Sequence, residues 1–187
     1  MWLDLFLLLI IAGIIAFAAA EGLARSAVML VTFYLLCILL GLIVVTFDVG
    51  ALLGGAINPG PSPASGNDAI AQSVIFMGIL RPTFAFAVLL SHTTLEGAQV
   101  NFLGWGDNAL GTVIGVILAL AFAAVLVNVW GVVISTPWEP YGTWSKMWSM
   151  YDQSILRPIL LRLLLVFRRA LFPLAASGYP VFFVPQI

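Results

Sequence analysis

Long apolar runs, separated by short polar or glycine-rich segments, dominate the first 135 residues of the chain. A helix needs about 20 mostly apolar residues to cross a bilayer, with a range of about 17 to 25. Runs of this length predict four membrane-spanning helices, at about residues 2–20, 26–47, 70–90 and 109–134. The pattern therefore indicates an all-α integral membrane protein with a four-helix transmembrane domain at 1–135.

The segments between these runs predict how the helices connect. Only residues 21–25 separate the first two runs, so we expect an antiparallel hairpin in which Glu21 and Arg25 pair across one helical turn. Residues 49–69 are rich in Gly, Pro, Ser and Asn, which favour turns and predict a loop. Before the fourth run, Asp107 and Asn108 are favoured N-cap residues, and a carboxylate there complements the positive end of the helix dipole.

The remainder, residues 136–187, has a different character. Thr136, Pro137 and Glu139 form a pattern typical of a helix start. The apolar run after it is interrupted too often by arginine to cross a bilayer easily. We therefore expect amphipathic helices at the membrane interface, followed by a proline-rich tail at 173–187 that lies on a protein partner or on the interface.

Aromatic and basic side chains in this part are the predicted interfacial anchors. Trp144, Trp148, Tyr151 and Ile155 recur at a spacing that places them on one helical face. Tryptophan and tyrosine prefer the headgroup layer of a membrane. The complete set of predicted anchors is Trp144, Trp148, Tyr151, Arg157, Arg162, Arg168 and Arg169.

Composition supports burial in lipid. The chain is 63% hydrophobic and 8% charged, whereas soluble domains carry about 25% charged and about 45–50% apolar residues. The net charge of −1 offers no basic stripe for nucleic acid. Cys37 is the only cysteine, which excludes an intramolecular disulfide, and its apolar surroundings predict a small buried hydrophobe.

Arg81 stands near the middle of the third predicted helix and is followed by Pro82. An arginine at the bilayer centre costs about 2.5–3.5 kcal/mol. About eleven Leu, Ile, Phe or Val residues surround it and offset that cost at roughly 0.3–0.6 kcal/mol each. Two interpretations stay open. Arg81 holds an acidic partner or an anionic lipid or ligand, or the helix is kinked or split at Pro82 and the arginine snorkels to a headgroup.

Small residues four apart predict close helix packing. Gly111 and Gly115 form a GxxxG pattern, and Ala119 and Ala123 continue it. Such a groove allows the backbone of another helix to approach closely in lipid. A similar ridge on the first helix consists of Ala12, Ala16 and Ala20. Our hypothesis is that the first and fourth predicted helices pair through these residues.

The sequence favours no enzymatic chemistry. Gly104, Gly106 and Ala109 fit the dinucleotide pattern G-x-G-x-x-A, but that pattern works at a strand-to-helix turn with an acid about 20 residues later. Here a membrane helix follows, and the next acid is Glu139. We therefore interpret the segment as a loop and helix start, and expect no catalytic residues.

His92 is the only weak cofactor candidate. It is the single histidine, and Glu96 lies one helical turn away. Catalytic zinc normally takes three protein ligands, so an ordinary interfacial pair is the preferred interpretation. One histidine also gives no bis-histidine signature for haem or chlorophyll. We expect no metal and no cofactor, whereas bound lipid fits the composition.

Several of these features together resemble the colicin V production protein family over residues 1–135. The matching residues are Asp4, Gly22, Arg25, Asp107, Gly111 and Gly115. The chain departs from the family's usual glycine or arginine at Ala18, Asn108, Leu118 and Ala119. The resemblance implies a four-helix inner-membrane protein linked to colicin V export and envelope functions, without an enzymatic reaction.

Two functional hypotheses follow. The first is a non-catalytic accessory or scaffold subunit of a larger membrane complex, such as a respiratory or photosynthetic electron-transfer assembly. The alternative is a stand-alone colicin V production-type protein in export or envelope maintenance. Both place the chain in a bacterial inner membrane. Five Lys and Arg residues follow the fourth run, against Arg25 alone in the other connecting loops, which predicts a cytoplasmic C-terminus.

Overall fold

In the computed structural model, the described residues are 2–46, 65–94, 105–135, 137, 141–171, 180 and 183–185. This part of the chain forms five helices and no strand, which confirms the all-α class there. The helices are α1 (Trp2–Thr46), α2 (Ser65–Thr94), α3 (Trp105–Ile134), α4 (Tyr141–Asp152) and α5 (Leu156–Ala170).

The long helix α1 folds back on itself at Gly22, which has non-helical backbone angles (φ 79°, ψ −176°). The Ser26 hydroxyl donates to the Ala18 carbonyl at 2.9 Å, although residues eight apart in an unbroken helix are separated by about 12 Å. The predicted hairpin is therefore present, with one residue as its turn. The predicted Glu21–Arg25 ion pair is confirmed at 2.6 Å.

Both halves of α1 lie along α3. In the first half, the Ile15 Cα lies 3.4 Å from the β-position of Gly115. In the second half, the Phe33 ring lies 5.8 Å from the ring of Phe122. Gly22 contacts Gly111 at the turn. The second half therefore runs parallel to α3, and the first half runs antiparallel to it.

Helix α2 covers this bundle through the buried side chains of Phe76 and Leu80. The Phe84 ring meets the Phe33 ring edge-on at 5.8 Å. The helix is continuous through Pro82, so the split predicted as one alternative does not occur. Helix α2 begins at Ser65, which corrects the end of the predicted 49–69 loop; residues 47–64 lie outside the described part.

Helix α4 packs at the end of α3 that is far from the Gly22 turn, and α5 runs from Asp4 near that end to the middle of the bundle, where the Phe167 ring stacks on the Phe33 ring at 6.0 Å. The Trp144 indole Nε1 donates to the Ile134 carbonyl at 3.0 Å, and α5 buries Leu160, Leu161 and Leu164. The predicted helix start at 136–139 is wrong, because α4 begins at Tyr141 and Pro137 precedes it. Thr136 and Glu139 themselves lie outside the described residues.

The described residues of the tail pack on the chain's own bundle. Phe183 is fully buried, with its ring 5.5 Å from that of Phe76. The Asn128 side-chain amide donates to the Val184 carbonyl at 3.1 Å. At these residues the tail lies on the chain's own bundle rather than on a partner or on the interface as expected, and the rest of the 173–187 tail, apart from 180 and 185, lies outside the described part. A buried asparagine on α3 needs a hydrogen-bond partner, and the tail supplies one.

Two of the described helices are long and apolar enough to cross a membrane, judged by length and composition. They are Trp2–Val44 within α1 and Trp105–Ile134, which is α3. Cys37 is buried within the first of these, as its apolar surroundings predict.

Candidate functional site: the junction of Gly22 and Asp107

The junction between α1 and α3 is a backbone-to-backbone contact at two glycines. A β-carbon on Gly111 would lie 2.8 Å from the Ala18 carbonyl oxygen and 2.8 Å from the Gly22 carbonyl carbon. A β-carbon on Gly115 would overlap the Ala18 methyl group. The GxxxG pattern therefore lies where the two helices approach most closely, as such patterns do in membrane helix pairs.

Further along α3, Ala119 and Ala123 are also fully buried. The ridge predicted on the first helix is different from the one used, because Ala12, Ala16 and Ala20 are exposed. The contact is made by Ile15, Ala18 and Gly22 instead. Ala18 lies about 200° around the helix from Ala16, since successive residues rotate by about 100°. The spacing of small residues marked only the Ala12–Ala16–Ala20 face, because the contact face includes the large side chain of Ile15.

The Asp107 carboxylate closes the same junction. Its Oδ1 accepts a hydrogen bond from the Leu23 backbone N–H at 3.1 Å. Leu23 is the first residue after the break at Gly22, so its N–H has no partner within its own half-helix. A β-carbon on Gly22 would collide with the Asp107 carboxylate, so this position requires glycine for space as well as for its positive φ.

The role predicted for Asp107 is corrected by this contact. Helix α3 begins at Trp105, and Asp107 lies within its first turn rather than at its N-cap. Its carboxylate caps the second half of α1 from another helix, 84 residues away in sequence. It also lies near the positive end of the α3 dipole, as expected. Asn108 contributes its carbonyl, which accepts from the Thr112 hydroxyl at 2.7 Å.

Asp4 makes a similar cap at the other end of the bundle. Its Oδ1 accepts hydrogen bonds from the Ser154 hydroxyl at 2.6 Å and from the Leu156 N–H at 3.1 Å. The Ser154 oxygen in turn accepts from the Arg157 N–H at 3.2 Å. Leu156 begins α5, so Asp4 ties that helix to the start of α1. One signal in the sequence points to this role: an acid within an apolar run needs a partner.

The aromatic anchors predicted on α4 do not share one outward face. The rings of Trp144 and Trp148 stack at 6.0 Å, and Trp148 is exposed. Tyr151 is only 2% exposed, and its hydroxyl lies against Gly131 of α3. Ile155 follows the end of α4. Burial raises the pKa of the Tyr151 phenol, and the nearby Arg157 guanidinium partly offsets this.

The arginines predicted as anchors occupy two kinds of environment. The Arg157 guanidinium lies 4.4 Å above the centre of the Tyr151 ring and 3.5 Å from the Asp152 carboxylate. Arg162 and Arg169 are exposed on α5, and Arg168 is partly buried.

On α2, Arg81 is exposed between two apolar grooves. Arg25 is paired with Glu21 at the hairpin turn.

No group of three metal-ligating side chains occurs in the described part of the chain. The His92 side chain and Glu96 lie outside it, so that pair stays a prediction. Gly106 and Ala109 lie within α3, whereas Gly104 and the residues before it at 95–103 lie outside the described part. The carboxylates of Asp4 and Asp107 each cap the start of a helix.

Comparison with protein-family models, curated proteins and solved structures finds no match to this chain. The structure nevertheless defines a class. The described residues form an all-helical protein in which two helices are long and apolar enough to cross a membrane. These helices meet at a glycine junction, where the Asp107 carboxylate caps the second half of α1.

Proposed function

We propose that this chain is a non-catalytic membrane subunit that packs against a larger membrane complex. The observation that carries this proposal is the row of large apolar side chains on the outside of the bundle. Leu9, Leu35 and Val113 are 65%, 57% and 57% exposed. Burying one such side chain gains about 1.5–3 kcal/mol relative to water. Lipid tails and apolar helices of other subunits can cover a surface of this kind and remove it from water.

The fold-back of α1 sets the number of crossings that we propose. Each half of α1 is about 20 residues long, which matches the length needed to cross about 30 Å of hydrocarbon. Helix α1 then crosses twice, and α2 and α3 cross once each. The arginine-rich end of the chain lies on the cytoplasmic side of a bacterial inner membrane, in line with the positive-inside rule.

A packing role is supported by two carboxylates, which hold the helices of this chain together. The carboxylates of Asp4 and Asp107 accept hydrogen bonds from helix starts. The small-residue groove of α3 is already filled by α1, because Gly111 and Gly115 contact Ala18. A partner subunit must therefore bind the outward apolar faces of α1 and α3.

A second candidate is a stand-alone membrane protein of the colicin V production type, active in export or envelope maintenance. One observation favours it. Four residues that carry the resemblance, Gly22, Asp107, Gly111 and Gly115, meet at a single junction. Residues that a family shares are expected to meet in space when they fix the fold.

Purification in a mild detergent, followed by native mass measurement, separates the two candidates. The subunit proposal predicts a particle well above 20.1 kDa that contains other proteins. Substituting the outward Leu9 or Leu35 by alanine should release these proteins and leave the fold intact. The matched control is Ile159→Ala, at an exposed position on α5. A folded 20.1 kDa monomer from every preparation would contradict the subunit proposal and favour the second candidate.

A further inference from the structure

Arg81 lies between two apolar grooves on the surface of the bundle. The α4-side groove has a volume of about 320 Å³, and its lining includes Gly78, Val129, Trp130 and Met147. The α1-side groove has a volume of about 440 Å³, and its lining includes Gly13, Phe84, Leu118 and Phe122. Arg81 and Leu126 line both grooves, so Arg81 lies at their shared boundary.

Arg81 has no acidic partner among the residues that the structure describes. The ion pairs found there join Glu21 to Arg25 and Asp152 to Arg157. An unpaired arginine within hydrocarbon is unfavourable by about 2.5–3.5 kcal/mol. An anionic group beside the guanidinium offsets that cost, because charge-assisted hydrogen bonds are about twice as strong as neutral ones.

We infer that Arg81 and its two grooves bind a membrane phospholipid with an anionic headgroup. The phosphate contacts the guanidinium, and the hydrocarbon chains occupy the apolar grooves. One cation flanked by two hydrocarbon-lined grooves matches one anionic group that carries two acyl chains. This inference rests on the proposed function, because it requires the chain to lie in a membrane.

The depth of the site is compatible with a headgroup. Leu126 lies eight residues before the end of α3 at Ile134, which corresponds to about 12 Å along the helix axis. Met147 of α4 also lines the α4-side groove, so this groove extends toward the end of the bundle where α4 packs. Snorkelling of the arginine and local thinning of the bilayer bring the two charges together.

Two glycines allow each groove to be filled without disturbing the fold. A β-carbon on Gly13 or on Gly78 would meet no atom within 4 Å. A β-carbon therefore fits at either position, and because each glycine lines its groove, a leucine there is expected to take up groove space. Gly142 on α4 is equally open and lines neither groove, so Gly142→Leu is the matched control. To test the role of the charge, Arg81 is changed to glutamine. The matched control is Arg162→Gln, which removes an exposed arginine of α5.

The full-length protein is reconstituted into vesicles of equal parts phosphatidylcholine and phosphatidylglycerol, and retained lipid is identified by native mass spectrometry after mild extraction. We expect the wild type to retain one phosphatidylglycerol in preference to phosphatidylcholine. Arg81→Gln should reduce this preference about tenfold, the ratio that one charge-assisted contact supplies. Gly13→Leu and Gly78→Leu should reduce retention of the lipid, whereas Gly142→Leu and Arg162→Gln should match the wild type.

Three results would overturn the inference. The first is equal retention of both lipids by the wild type. The second is loss of the preference in Arg81→Gln with no effect of filling either groove. The third is release of a protein partner by Arg81→Gln with lipid retention unchanged, which would assign the cation to a partner's carboxylate. Failure of the wild type to enter vesicles at all would contradict the proposed function as well.

Discussion

At the scale of single residues, the fold depends on positions where only glycine fits, because a β-carbon there would overlap atoms of a neighbouring helix. The Gly111 spacing is visible in the sequence, and it predicted a close helix contact. The partner of Asp107 was not predictable, because Leu23 is 84 residues away and becomes available only when α1 breaks at Gly22. A helix-capping pattern in the sequence identifies only partners that are a few residues apart.

Replacing Gly111 with alanine should destabilise the bundle by about 1–3 kcal/mol, the usual range for overpacking a close contact. The new methyl group would lie 2.8 Å from backbone atoms of Ala18 and Gly22, which cannot move independently of α1. Unfolding in detergent, followed by circular dichroism, measures the change. Gly13→Ala is the control, because its β-position is open. Equal stability of the two variants would mean that the helices do not meet at Gly111.

At the scale of helices, α5 is the element whose position depends most on a distant cap. Its apolar pattern predicted an amphipathic helix, and Leu160, Leu161 and Leu164 are indeed its buried face. Its start was not predictable, because Asp4 supplies the acceptor from the other end of the chain. Tyr151, which was predicted as an interfacial anchor, is instead buried, because Gly131 of α3 leaves space for its ring.

Asp4→Ala should loosen the first turn of α5 and cost about 0.5–2 kcal/mol, as the loss of an N-cap does. The Leu156 N–H and the Ser154 hydroxyl both lose their acceptor. Hydrogen exchange followed by mass spectrometry should show faster exchange near Leu156 and unchanged exchange in α3. Asp107→Ala removes the cap at the other end of the bundle and should leave the α5 start protected. Slow exchange in both variants would show that Asp4 is not the cap.

At the scale of the whole molecule, composition predicted a helical chain with too much apolar surface for water. It did not predict that Phe183 of the tail is part of the core, since that contact forms only when Asn128 and Phe76 are brought together. We propose that the outward apolar surface of the folded bundle faces hydrocarbon.

Spin labels on single cysteines test this claim directly in reconstituted vesicles. Cys37 is the only native cysteine, so a Cys37→Ala chain accepts a label at Leu9, Leu35, Val113 or the exposed control position Asp152. If the apolar surface faces hydrocarbon, labels at the three apolar positions will collide more often with oxygen than with a water-soluble nickel chelate, and the label at Asp152 will show the reverse. Nickel collisions at Leu9 and Leu35 as frequent as at Asp152 would contradict it.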